Sequence, residues 1–460
     1  MRTVLVYLTV AIIFIASSVY PILGAGQSAH MISSQGTIGP KLSRLHTDGK
    51  YIRDESGKIV SLRGCAFIEA AYRADNLVVG TLAERAERFK ELGVNYVRLE
   101  IDQAYWDENR DTNGDGVGNR DFTMQAIREF TSRGIYVIPG LHGSISPSFY
   151  TDTQAWIDWL INNLVKPNLG NPGVAGIYIW NEPRYEGFGG IDLGGVTSGY
   201  WDAVKEACRQ IHDVNPNLLL VVHADMYSHG GFCPVLRTDP IPTPNVVYTW
   251  HYYYQYASVF DPYLGWMSGV LDPDWQELVN RGQPFYQSYH FGDYAKARQE
   301  FEQWLYDKFM WVPTELNLTI VNDEFSFGAN TEHYASLRAC IACLEANGGV
   351  PQSGVTFWMI VDTTISPGGA KVGDVHGGGS FPNLTYCPIC GEPLPRPRED
   401  FEPGWPQCMH DFLQILNKYD CNWSYYCWKG DGGGLCKTDG TELSAQGEIW
   451  KDYLNASAPT

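Results

Sequence analysis

At 460 residues the chain could hold one large α/β barrel with insertions or two to three ordinary domains, and its 44% hydrophobic and 13% aromatic content excludes a disordered protein. A formal charge of −19 argues against nucleic acid and acidic membrane surfaces as partners. Fifteen Trp and 28 Tyr are more than a core alone calls for, and such a load suits flat amphipathic ligands such as sugars.

Residues 1–25, "MRTVLVYLTVAIIFIASSVYPILGA", join Arg2 to an apolar run and a small-residue end, the pattern of a secretory signal. The run is also long enough for an uncleaved membrane anchor, the alternative placement. Residues 26–44 read as a polar linker, and a single catalytic domain is expected over 45–455. From residue 59 short β-rich runs alternate with amphipathic helical segments. "IVSLRGCAF" precedes the helix "TLAERAERFKELG", where Leu82, Ala83, Ala86, Phe89 and Leu92 recur at helical spacing. Then come strand "NYVRLEI", helix "RDFTMQAIREFTSRG", strand "IYVIPGLHG", helix "AWIDWLINNL", strand "GIYIWNEP" and helix "GYWDAVKEACRQIH". Strands "LLLVVHA" and "NVVYTWHYY" follow, then helix "YAKARQEFEQWLYDKF" and strand "LTIVNDEF". Near-continuous apolar strands separated by helices imply a parallel sheet covered on both faces. More than five such units without a glycine-rich phosphate loop predict a (β/α)8 TIM barrel.

The last third holds more strands than one barrel needs, so a Cys-rich insertion is expected there, at about residues 330–407. Either "GVTFWMIV" or "NWSYYCW" is the closing strand. Eleven cysteines in an exported chain predict disulfides, with the odd number leaving at least one thiol outside intrachain pairing.

Functional side chains of a TIM barrel stand at the C-terminal ends of its strands. Those ends supply Arg98, His142, Asn181 with Glu182, His251 with Tyr253, Glu324, and Trp358 or Trp428. Two carboxylates among orienting groups and aromatics suit hydrolysis of a glycosidic bond with retention, where one carboxyl protonates the leaving oxygen and the other attacks the anomeric carbon. Glu315 and Glu392 also follow apolar runs and compete with Glu324 for the second place.

The ordered motifs "VRLE", "GLHG", "WNEP", "WHYY" and "IVNDEF", after the opening "DGKYIRDESGKIVSLRGCAF", resemble glycoside hydrolase family five, the cellulase and mannanase family. The resemblance runs from about Leu45 to about Leu454 outside the insertion. It implies Glu182 as general acid/base, Glu324 as nucleophile and Asn181 as the holder of the sugar 2-hydroxyl. It further implies that Tyr253 hydrogen-bonds the nucleophile, that Arg98 keeps it ionised, and that His142 and His251 influence the proton affinity of Glu182. An aromatic of the last strand would stack on the sugar. The implied activity is a secreted endo-β-1,4-glucanase acting on β-glucan, with β-mannan hydrolysis and a non-catalytic carbohydrate-binding barrel as alternatives. No cofactor is required by that chemistry and no nucleic acid or protein partner is implied.

Two segments have metal-ligand character. "DTNGDGVGNRD" places Asp111, Asn113, Asp115 and Asp121 as in a Ca²⁺ loop, although Phe122 stands where a bidentate Glu is expected. Cys387 and Cys390, with Cys408 and His410, have zinc-ligand chemistry, though disulfides are the better expectation in an exported chain.

Overall fold

The computed structural model describes residues 42–71, 80–143, 145–224, 231–253, 293–327, 405–428, 434–437 and 441–455, together with Phe285, Ser288 and Tyr289. The signal segment, Trp358, Cys387, Cys390, Glu392 and nearly all of the expected insertion lie outside these residues.

Eight parallel strands close into a barrel: β3 (Arg63–Phe67), β4 (Tyr96–Ile101), β5 (Tyr136–Leu141), β6 (Gly176–Tyr178), β7 (Leu219–His223), β8 (Val246–Tyr253), β9 (Ile320–Ser326) and β10 (Asn422–Tyr425). β10 pairs with β9 on one side and β3 on the other, so "NWSYYCW" supplies the closing strand. The seam is held from inside the sequence: Asn422 accepts from the Leu62 amide at 2.8 Å and donates to the Ile320 carbonyl at 3.2 Å. An antiparallel hairpin, β1 (Leu45–Asp48) and β2 (Tyr51–Asp54), is tied beside the starts of β8 and β9. Thr47 N donates to Asn245 Oδ1, and the Thr319 hydroxyl to the Gly49 carbonyl.

Inside the barrel, alternate residues of each strand fill the floor. Leu45 and Ile52 of the hairpin pack with Tyr96, Tyr136, Ile138, Tyr178, Leu219, Val221, Val247 and Val321. Residues of opposite parity, such as Val97, Leu99, Ile177, Leu220 and Trp250, face outward under the helices. The helices are fixed by the signals their sequence carries. Helix Leu82–Leu92 starts with a reciprocal Thr81–Glu84 capping box and stops at Gly93, whose φ of 91° suits glycine. Gly140 has another reason: a Cβ there would meet Tyr178 Cβ at 2.1 Å, because β5 and β6 approach closely.

Alternation has one break, and it lies beside the site. Trp250 pairs with Asn322 but His251 pairs with Glu324, which leaves Asp323 as an extra residue in β9. The β10 pairing shifts over the same stretch. This bulge lets adjacent acids, Asp323 and Glu324, both reach Arg98.

The expected disulfides are not seen among the described residues. Cys65, Cys208, Cys408 and Cys421 are buried free thiols, because the barrel core takes them as small apolar side chains. No described helix is long and apolar enough to cross a membrane.

Candidate active site

Above the apolar floor, the inward residues turn polar. Along β4 the inward positions are Tyr96, Arg98 and Glu100; on β8 they are Val247, Thr249 and His251. Arg98, 2% exposed, lies over the Tyr178 ring at 5.1 Å. Its Nη1 reaches Glu324 Oε2 at 2.5 Å and Glu100 Oε1 at 3.4 Å, and its Nε lies 3.4 Å from Asp323 Oδ2. Its Nη2 donates to Asn181 Oδ1 at 2.6 Å, which turns the Nδ2 end of that amide away from the arginine. The cation these acids enclose is Arg98's own guanidinium. Burial lowers its proton affinity, but Asp323, Glu100 and Glu324 outweigh burial and hold it firmly protonated.

β6 ends at Tyr178, and the chain continues through Trp180 into Asn181 and Glu182. Trp180 turns outward into a cage of Phe149, Tyr150, Trp156 and Phe188, which anchors the turn. Glu182 itself sits at φ 40°, a left-handed conformation that is costly for a side-chain-bearing residue and doubly so before proline. The turn therefore does more than end a strand: it aims this carboxylate. Glu182 Oε1 lies 2.7 Å from His251 Nδ1.

One carboxylate oxygen each from Glu182 and Glu324, with a ring nitrogen of His251, lie within 4.8 Å of one another. The two acids sit in different surroundings. Glu324 is 4% exposed, and although burial works against its charge, His251 and Arg98 outweigh it and hold the carboxyl below the usual range. Glu182 keeps a 26% exposed side chain at the mouth. Burial also works against charge on His251, but Glu324 and Asp323 dominate and raise its proton affinity well above that of free imidazole. Glu100, buried beside Arg98 and 3.4 Å from His142 Nδ1, is raised chiefly by burial.

Arg98, His142, Asn181, Glu182, His251 and Glu324 thus meet in one cleft, as their strand-end positions predict. The side chain of Tyr253 lies outside the described residues, although its backbone pairs with Ser326. Glu315 is excluded from the site: it ends the helix Trp311–Glu315 before β9, half exposed and paired with Arg237. Trp428 is a correction. It is 3% exposed with its ring 4.7 Å from Phe89, in the packing under helix Leu82–Leu92 and not in the cleft. The residue two before it, Tyr426, is half-buried and lies 6.3 Å from the His142 ring at 25°. Sequence reading passed over Tyr426, Asp323, Glu100 and His223. Only Glu100 carried a usable signal, since it stands two residues from Arg98 on the same face of a strand.

The Asp111–Asp121 loop is closed by its own amides. Asp111 accepts from Gly114 and Gly116 at 2.7 Å each, Asp115 accepts from Val117, and Asp121 accepts from Asn109. Three of the four expected calcium ligands, Asp111, Asp115 and Asp121, thus accept hydrogen bonds within and beside the loop. Cys408 and His410 occupy positions two apart on the helix Trp405–Lys418, which turns them to different faces: Cys408 is buried and His410 meets the Tyr453 hydroxyl.

Comparison with known proteins supplies the remaining observations. The sequence profile described as Cellulase (glycosyl hydrolase family 5) matches residues 54–359. A curated relative, the major extracellular endoglucanase of Xanthomonas campestris pv. campestris, is 26% identical over 202 residues, which is 40% of this chain and 41% of that protein. Among solved structures, a hyperthermophilic endocellulase from the archaeon Pyrococcus horikoshii superposes with a TM-score of 0.55 at 16% identity, covering 91% of this chain and all of that one. The catalytic domain of the Xanthomonas endoglucanase gives a TM-score of 0.53 at 16% identity, covering 90% and 100%. These superpositions establish a shared barrel.

Proposed function

As a member of glycosyl hydrolase family 5, the cellulase family, this chain is a glycoside hydrolase, and we propose that it is an exported, retaining endo-β-1,4-glucanase. The observation that carries the proposal is the pair of carboxylates within 4.8 Å. So close an approach of one oxygen from each acid supports the pairing at ~5–5.5 Å of retaining enzymes over the ~6.5–9.5 Å of inverting ones.

The roles follow from the surroundings. Glu324, held ionised by Arg98 and His251, attacks the anomeric carbon; its electron pair forms the glycosyl ester as the glycosidic bond breaks. Glu182, at the exposed mouth, gives its proton to the departing oxygen and then takes one from the water that cleaves the ester. Asn181, its amide oriented by Arg98, donates to the sugar 2-hydroxyl. Tyr426 is the aromatic platform for the sugar at the cleavage point, in place of Trp428.

β-Glucan as substrate is supported by the relatives. The Xanthomonas relative is an endoglucanase, and the Pyrococcus endocellulase has been crystallised with cellotetraose. The chain spans 41% of the Xanthomonas protein's length, so the whole activity of that protein is not carried over. Export fits the apolar first 25 residues and the extracellular description of that relative.

Digestion of soluble β-glucans and β-mannans with product sizing and anomeric NMR is the test. Internal cleavage of β-1,4-glucan with initial release of the β-anomer is expected; α-anomer or mannan-only turnover would refute the proposal. Glu182→Gln and Glu324→Gln should each lower kcat by about 10²–10⁴-fold with the fold intact.

A further inference from the structure

We infer that Asp323 is a positioning residue for the reaction: through the imidazole of His251 it retains the proton that Glu182 delivers. The inference rests on Glu182 as the acid/base.

Asp323 is fully buried. Its Oδ1 accepts from the Thr249 hydroxyl and lies 3.2 Å from His251 Nε2, and its Oδ2 faces Arg98 Nε. Since His251 Nδ1 contacts Glu182 Oε1, a carboxylate, an imidazole and a second carboxyl stand in line across the mouth. The β9 bulge creates this line, because in a regular strand Asp323 and Glu324 would face opposite sides.

Charged and titratable groups surround His251 from every neighbouring element. Glu182 follows β6, His223 of β7 packs edge-on at 4.9 Å, and Glu324 of β9 lies 3.5 Å from Nε2. Arg98 and Glu100 of β4 stand behind them. Asp323 is held ionised: burial opposes its charge, and Arg98 and His251 overcome it. A fixed negative charge at Nε2 keeps one ring proton there and strengthens the hold on the second proton, which lies between Nδ1 and Oε1.

In glycosidic cleavage the proton shared with His251 Nδ1 passes to Glu182, and the O–H bond so formed breaks as the leaving oxygen gains that proton and the electron pair of the broken C–O bond. Water later returns the proton to Glu182 while its oxygen joins the anomeric carbon and releases Glu324. Asp323 enters none of these bonds. Its charge opposes loss of the proton to solvent between turnovers.

Asp323→Asn preserves shape and the Oδ1 acceptor while deleting the charge. The alkaline limb of the kcat/KM profile should move down by about one to three pH units, the range a close opposite charge commands, with the acidic limb in place. A folded variant whose alkaline limb matches wild type overturns the inference. If the variant does not fold, ¹⁵N NMR of the wild-type enzyme decides, with the His251 signal identified by its loss in His251→Gln. The ring should carry both protons at pH about 8, well above the ~6.5 of free imidazole, and a neutral ring there overturns the inference. Full glucan turnover by Glu182→Ala would instead remove the acid/base reading, and the NMR result would still report on Asp323.

Discussion

Arg98 holds the acids of the cleft through one planar fork. With Glu100, Asp323 and Glu324 around it and almost no solvent, its removal leaves three buried carboxyls without their fixed cation. Breaking a buried pair in this way costs about 3–5 kcal/mol. Denaturant titration of Arg98→Ala should show that loss, together with a fall in kcat of more than about a hundredfold. Arg98→Lys should recover part of the stability but little turnover, because an ammonium does not hold Glu324 and Asn181 at once. Arg98, Glu182 and Glu324 were legible as strand-end residues in an ordered motif set. Asp323 was not, since strict alternation assigns the residue next to an inward acid to the helix side, and a bulge leaves no mark in one sequence.

Strand ends place the acids, but the turns after them decide what reaches the cleft. Tyr426 and Trp428 follow the same strand and serve opposite sides of the wall. Tyr426→Ala should raise KM for glucan several-fold with little change in thermal midpoint. Trp428→Ala should do the reverse, with a loss of about 3–5 kcal/mol typical of a buried aromatic. Sequence position offers Trp358 or Trp428 as the platform, and burial against Phe89 removes Trp428. At the seam, Asn422→Ala frees the Leu62 amide and the Ile320 carbonyl and should cost about 1–3 kcal/mol for each group left unpaired. Helices and strands were otherwise readable at this scale, because period 3.6, period 2 and capping residues agree, as in Thr81–Gly93.

Across the molecule, the buried charge cluster sets a pH window for stability. Asp323 and Glu324 titrate lower in the fold than in the open chain, so their contribution is present above about pH 4 and is lost as pH falls through their folded values. His251 is shifted upward, so its contribution is complete below about pH 6.5 and is lost as pH rises through its folded value. Glu100, raised by burial, weakens the fold as it ionises and so opposes the acids. Thermal midpoints should be highest between about pH 4 and 6.5, and His251→Gln should flatten the alkaline decline. Barrel closure was legible in the count of alternating units, but the identity of the last strand was not, because "GVTFWMIV" is as apolar as "NWSYYCW" and only three-dimensional pairing separates them.

That pairing bears on how the protein can be divided. The family profile ends at residue 359, whereas β10 lies at Asn422–Tyr425. A polypeptide trimmed to the profile limit is a cask lacking a stave: the ladders of β3 and β9 would both hang open, one of them carrying Glu324, the proposed nucleophile. Such a fragment would clump with its own kind before it met any sugar.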